Sequence, residues 1–249
     1  MLLEDKVAII TGAGSGMGRA DALLFVKEGA KVVIVDINKE GAEETLRQVQ
    51  AQRGEGMVVV ADVSKAEDVK RVVEETIRKY KKIDILVNNA GILLTHPITE
   101  TTEEEWDRIF NTNVKAIFLM CREVIPYMLK QGKGKIINIS SCGGEVAFPG
   151  SAPYCASKAA VNMLTKALAY DYAAKGINVN AVAPGFTKTP MVKELMADEM
   201  VKKGLLANIP AGRFAEPEEI AQAVLWLASD ASSYCHGLIL NIDGGWIIR

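Results

Sequence analysis

Val7-Ala-Ile-Ile-Thr11-Gly-Ala-Gly-Ser-Gly-Met-Gly18 decides the fold. Five residues of β-branched and small apolar character run without a polar break into a turn holding four glycines. A continuous apolar run of this length fits a strand buried on both faces of a parallel sheet. Glycines let the backbone turn tightly and approach a ligand closely, and the following helix presents free N–H groups and a partial positive charge. Strand, glycine turn and helix in that order read as a pyrophosphate-binding unit. The spacing is G-x-x-x-G-x-G through Gly12, Gly16 and Gly18, not G-x-G-x-x-G.

The same rhythm continues outward. Lys31–Asp36, Met57–Ala61, Ile83–Val87, Lys135–Ile139, Asn178–Val182 and Leu238–Ile242 read as further strands. Helical patterns lie near 17–28, 39–53, 66–80, 103–130, 153–175 and 217–229. Alternation of this kind predicts an α/β fold: one domain over 1–249, Rossmann-type and doubly wound, its mainly parallel seven-stranded sheet flanked by helices on both faces. Residues 187–212, rich in Met and Leu and bearing Pro190 and Pro210, break the rhythm and read as a lid insertion on the substrate side.

Composition narrows the function. The chain has 249 residues, 49% hydrophobic and 24% charged, with 29 Lys and Arg against 31 Asp and Glu. A net charge of -2 gives no electrostatic drive toward nucleic acid. Four cysteines lack Cys-x-x-Cys spacing and two histidines are present, so no metal site is expected and free thiols are the default. No stretch reads as a secretory signal or membrane span, which makes a cytoplasmic protein the expectation.

Asp36 ends the second strand. A carboxylate there accepts hydrogen bonds from both ribose hydroxyls and repels a 2′-phosphate. Ala13, Gly14, Ser15 and Met17 are uncharged, and Ile37 and Asn38 follow the acid; only Lys39 is basic nearby. NAD (NADH) is therefore the expected cofactor and NADP the less favoured one. An N-cap role for Asp36 is compatible with ribose binding.

Tyr154 and Lys158 stand four residues apart, which puts both on one face of a helix. A free phenol has a pKa of about 10, and a neighbouring cation lowers it toward the range of acid–base work. A core-edge tyrosine beside a solvated lysine has the same spacing.

Taken in order, these motifs resemble the short-chain dehydrogenase/reductase family, in its compact single-domain branch, from Lys6 to about Gly245. Thr11–Gly18 is similar to its glycine motif, and Asn88-Asn-Ala-Gly91 to the motif ending its fourth strand. Asp62 matches the acid that contacts adenine. Asn113, Ser141, Tyr154 and Lys158 match its catalytic set, and Pro184-Gly185 with Thr189 the segment facing the nicotinamide. Arg213, Pro217–Ile220 and Asp243-Gly-Gly245 complete the likeness. Ala116 departs from it, standing where many members carry Gly.

The resemblance implies hydride transfer between a nicotinamide cofactor and a secondary alcohol or ketone. Tyr154 would be the acid/base, Ser141 would orient the carbonyl, and Lys158 would lower the tyrosine pKa and bind ribose. Asn113 would hold a water leading to solvent. The implied cofactor contacts are Gly12, Ser15, Gly16, Met17, Gly18, Asp36, Ile37, Asp62, Val63, Asn89, Ala90, Gly91, Tyr154, Lys158, Pro184, Gly185, Thr187 and Thr189. Candidate substrate walls are Leu93, Gly143, Glu145, Val146, Phe148, Phe186, Met191 and Leu195, with Leu94, Gly144, Met196 and Leu205 beside them. They are mostly apolar and suit a hydrophobic alcohol or ketone. A 3-oxoacyl-[acyl-carrier-protein] reductase, with Lys130, Lys133 and Lys175 toward an acidic carrier, is the rival enzyme. A sugar or steroid dehydrogenase fits the same motifs, and a nucleotide-sensing regulatory protein is the non-enzymatic alternative. Membership also implies a homotetramer, with the long helices and the Trp246–Arg249 tail as candidate interfaces.

Overall fold

The computed structural model describes residues 1–248, apart from the side chains of Glu194 and Leu195. Seven parallel strands, β1 (Val7–Thr11), β2 (Lys31–Asp36), β3 (Gly56–Val60), β4 (Ile85–Asn88), β5 (Gly134–Ile139), β6 (Ile177–Pro184) and β7 (Ile239–Ile242), form one sheet. Their order is β3-β2-β1-β4-β5-β6-β7. The predicted parallel sheet is thus present, with strand ends shifted by one or two residues.

Alternation along each strand feeds two cores. Ile9, Val33 and Val35 face one core, and Ala8, Ile10, Val32 and Ile34 face the other. The helices α1 (Gly16–Lys27), α2 (Lys39–Ala51) and α9 (Pro217–Ala228) cover the second face. The first is covered by α3 (Ala66–Tyr80), α5 (Ala116–Gln131) and α6 (Ala152–Tyr172). Each fully buried Val, Ile or Leu side chain contributes roughly 1.5–3 kcal/mol relative to exposure.

The helix expected over 103–130 is not continuous. A capping box between Thr102 and Glu105 starts α4 (Glu103–Phe110), a π turn follows over Asn111–Lys115, and α5 resumes. The Ala116 N–H bonds the Asn111 carbonyl, one residue further back than in an α-helix. Single π turns of this kind occur frequently at functional sites, and Asn113 lies inside this one. Residues 187–212 contain a short 3₁₀ turn at Pro190–Val192, then α7 (Lys193–Ala197) and α8 (Glu199–Ala207).

The chain direction reverses between β1 and β4, because β2 and β3 lie on one side of β1 and β4 to β7 on the other. In open parallel sheets the crevice outside the strand C-termini at that point is where ligands bind. Among the described residues no helix is long and apolar enough to cross a membrane.

Candidate active site

Two adjoining cavities open at this crevice. The larger, about 700 Å³, follows the glycine turn. Gly12 has φ +63°, and a Cβ added there would stand 2.9 Å from the Ala90 Cα. A Cβ on Gly18 would meet the Gly12 carbonyl oxygen and Asn89 Nδ2 at 2.5 Å each. Neither site admits a side chain, so the turn stays low enough for a bulky anion to rest on α1. Asn89 fastens it, donating from Nδ2 to the Thr11 carbonyl at 2.9 Å and the Gly12 carbonyl at 3.0 Å. The Thr11 hydroxyl accepts from the Asn89 and Ala90 amides. Arg19 donates to the Gly14 and Gly41 carbonyls and to Thr45 Oγ1, tying turn to α2.

Asp36 faces this cleft with both oxygens oriented. Its Oδ2 accepts from the Gly14 amide and its Oδ1 from the Asn38 amide, each at 2.8 Å. Asp62 is held by Ser64, whose amide and hydroxyl donate to Oδ1 at 3.0 and 2.6 Å. Gly12, Ser15, Gly16, Met17, Asp36, Ile37, Asp62, Val63, Asn89, Ala90, Gly91 and Thr189 line the cleft. Pro184, Gly185 and Thr187 line the second cavity instead, together with Tyr154. The far wall of the first is α4 and the π turn, through Glu104, Asp107, Arg108, Asn111 and Thr112. Sequence reading passed these over, because nothing in an acidic amphipathic helix marks which face meets a groove. The side-chain-free cradle, its positive helix end and the oriented carboxylate fit a dinucleotide.

Ser141 follows β5, Tyr154 lies in the first turn of α6, and Lys158 lies one turn further on. The Gly143 amide donates to Ser141 Oγ at 3.0 Å, which fixes the hydroxyl. Lys158 is buried, and its Nζ donates to the Ile139 carbonyl at 2.8 Å. That nitrogen stands 5.7 Å from the Tyr154 ring centroid. The expected helix-face pairing is therefore present.

The expected acidification is not. Tyr154 is half-buried and lines the second cavity; loss of water pushes its phenol up to about 12, and the Ser141 hydroxyl beside it offsets only part of that. Burial likewise pulls Lys158 down to about 8. The reason is geometric: the ammonium is spent on the Ile139 carbonyl, and both groups lose water at once. At neutral pH the phenol keeps its proton and the lysine its charge.

Asn113 is buried, and its Nδ2 donates to the Ile92 carbonyl and to Ser157 Oγ, each at 3.0 Å. Its Oδ1 accepts from the Ile92 amide at 2.8 Å. Both N–H groups are thus committed to protein, and only Oδ1 retains capacity toward a water. A Cβ on Gly91 would lie 3.3 Å from that oxygen and 3.6 Å from Lys158 Nζ, so the two groups border one small space.

The second cavity, about 470 Å³, holds Ser141 and Tyr154 in its wall. Leu93, Phe148, Phe186, Met191 and Leu205 line it as expected. Gly143, Glu145 and Val146 are not among its walls, and neither are Leu94, Gly144 or Met196. Glu145 turns instead to Asn241, accepting from Nδ2 at 3.1 Å. Gly143 lies beneath Phe148, whose ring would be 2.9 Å from an added Cβ. The Leu195 side chain lies outside the described residues. Thr95, Val192, Val201, Asn208 and Trp246 were not anticipated as walls. Trp246 in particular turns into this cavity, where the sequence suggested a tail at an interface. Among the described residues no group of three or more His, Cys, Asp or Glu could hold a metal ion.

Known proteins resemble this chain over nearly its whole length. A family profile described as enoyl-(acyl carrier protein) reductase matches residues 12–247. A 3-oxoacyl-[acyl-carrier-protein] reductase of Thermotoga maritima is 46% identical over 248 residues, covering 100% of each chain. A cyclopentanol dehydrogenase of Comamonas sp. is 41% identical over 244 residues, covering 98% of each. The crystal structure of a gluconate 5-dehydrogenase from Burkholderia cenocepacia in complex with NADP and tartrate superposes with a TM-score of 0.95 at 36% identity, covering 99% of this chain and 97% of that one.

Proposed function

Since this chain belongs to the short-chain dehydrogenase/reductase family, we propose that it is an NAD(H)-dependent enzyme interconverting a secondary alcohol and a ketone, with Tyr154 as acid and base. One observation carries the reading: Tyr154 and Ser141 share the wall of a cavity that meets the glycine-turn cleft, with buried Lys158 one helical turn behind. Bound in that cleft, the nicotinamide supplies or accepts the hydride.

The chain's own residues do the rest. The Ser141 hydroxyl, held by the Gly143 amide, hydrogen-bonds the substrate oxygen and fixes its direction. Tyr154, protonated at neutral pH, donates to that oxygen as negative charge grows on it. The space bordered by Asn113 Oδ1 and Lys158 Nζ suits a water that returns the proton to the phenolate left behind. Reduction draws on the form of Tyr154 that prevails at pH 7, whereas oxidation needs the phenolate and gains from higher pH. Met191 and Thr189 border both cavities, which supports a lid role for residues 187–212.

Asp36 supports NAD(H), because a 2′-phosphate would meet a carboxylate beside an uncharged turn. The gluconate 5-dehydrogenase holds NADP, so both cofactors belong in the assay. A second reading, a 3-oxoacyl-[acyl-carrier-protein] reductase, is favoured by the 46% identity to the Thermotoga maritima enzyme. The test is a panel of ketones, alcohols, sugar acids and acyl thioesters with NADH and NADPH, run on wild type and Tyr154→Phe. Loss of the acid should reduce turnover by at least ~10²–10⁴-fold with NADH affinity retained. Near-normal turnover in that variant would sink the assignment, and a preference for acyl thioesters would move it to the second reading.

A further inference from the structure

The walls of the smaller cavity carry more information than the catalytic groups alone. Phe148, Phe186 and Trp246 touch one another pairwise. Ring centroids are 5.6 Å apart for Phe148 and Phe186, 5.8 Å for Phe148 and Trp246, and 5.1 Å for Phe186 and Trp246. Their planes meet at 44°, 84° and 56°. Three rings in mutual contact make one continuous aromatic wall on this side of the cavity. Among the described residues that line it, none carries a formal charge at neutral pH, and the nearest acid of the loop, Glu145, is engaged by Asn241.

Trp246 is not a loose end. The Asp243 carboxylate accepts from the Gly245 amide at 2.9 Å and the Ile247 amide at 3.0 Å, so the turn that carries the indole is closed on itself. The Ala211 amide donates to the Gly244 carbonyl at 3.0 Å, which joins that turn to the segment leaving α8. An added Cβ on Gly245 would stand 3.1 Å from Pro210, so the two segments interlock closely. The indole is therefore held at a fixed depth in the cavity.

We infer that this site takes a compact, uncharged cyclic ketone or the corresponding alcohol, and that Trp246 sets the size of ring it admits. The inference rests on the alcohol–ketone reading above and narrows it. A carboxylate brought into this cavity would lose its water with no cation among the described lining residues to receive it. The lining also holds Thr95, Ser141, Tyr154 and Asn208, so a polyhydroxylated substrate would find partners there, while its hydroxyls turned to Phe148, Phe186 and Trp246 would stay unpaired. A rigid ring meets flat faces with little conformational entropy to lose, whereas a flexible acyl chain has to be ordered. About 470 Å³ lies toward the small end of ligand cavities, which run from roughly 300 to 1,000 Å³.

The experiment measures kcat/KM, with NADH and with NADPH, for cyclopentanone, cyclohexanone, cyclooctanone, 5-ketogluconate and the N-acetylcysteamine thioester of acetoacetate. Wild type, Trp246→Ala and Trp246→Phe are compared. Wild type should favour the five- and six-membered rings over 5-ketogluconate by about a hundredfold or more. Trp246→Ala should raise the ratio of cyclooctanone to cyclopentanone, which differ by three methylenes, by about tenfold or more, the least that a single methylene is worth in an apolar pocket. Trp246→Phe should fall between. A general packing defect would lower all three rings alike and leave that ratio unmoved, which overturns the role of Trp246. Wild-type preference for 5-ketogluconate or the thioester overturns the substrate class while leaving the alcohol–ketone chemistry standing. No carbonyl-dependent cofactor oxidation at all, with cofactor affinity intact, would overturn both readings together.

Discussion

Asp36 illustrates how much one side chain does at the seam. Its carboxylate steadies the glycine turn through the Gly14 amide and the start of α2 through the Asn38 amide, and its remaining lone pairs face the cleft. Removing it therefore acts on both loop order and cofactor choice, and the ratio of cofactors separates the two. Asp36→Ala should weaken NADH binding about 10- to 100-fold, as expected for hydrogen bonds to a charged acceptor. It should weaken NADPH binding far less, or improve it, in fluorescence titrations. Asp36→Asn, which keeps the shape, should lie between them. Equal losses for both cofactors would show that the acid only shapes the turn. The residue scale is also where sequence reading succeeded and failed most sharply. The shared face of Tyr154 and Lys158 follows from helix geometry and was legible. The acid strength was not, because it depends on how much water each group loses and on where the Lys158 nitrogen is aimed.

Helix α1 carries an oddity that no motif explains. Asp21 is fully buried on it, and among the described residues neither carboxylate oxygen has a partner. Burial pushes its carboxyl well above the ordinary aspartate range. The folded state then holds a proton that the unfolded chain releases, so stability from this group is present below the unfolded pKa and declines as pH rises toward the folded one. Replacing an unsatisfied buried polar group should stabilise the fold by about 1–3 kcal/mol at pH 7. Asp21→Ala should accordingly raise Tm by several degrees in calorimetry at pH 7, and the gain should shrink toward pH 4. A gain independent of pH, or a lower Tm at pH 7, would contradict this. Among the elements, the strands were easy to read because burial on both faces leaves a continuous apolar run. The break between α4 and α5 was invisible, since one residue of extra winding barely disturbs a 3.6-residue pattern.

For the whole molecule, strand–helix alternation already implied the doubly wound sheet, whereas the second cavity is assembled from Met17, Thr95, Phe148, Asn208 and Trp246, far apart in the chain. No local pattern links such positions; only the closed topology does. Assembly was an expectation of the family resemblance, and the surface offers a place for it. Met163 and Tyr170 are 64% and 91% exposed, one heptad apart along α6, and Phe118 is half-exposed on neighbouring α5. Apolar exposure of that extent on two long helices fits a contact between copies of this chain. The double substitution Met163→Glu with Tyr170→Glu should lower the oligomeric state in size-exclusion chromatography with light scattering. An unchanged assembly would move the interface elsewhere.

The amide of Asn89 laces the end of β4 to the carbonyls of Thr11 and Gly12. That lacing is completed as the chain folds, before any guest arrives. A visiting dinucleotide thus meets a host whose backbone freedom at this point is already spent, and its affinity is not diluted by freezing a floppy loop. The sheet itself, not the visitor, bears the entropy of recognition.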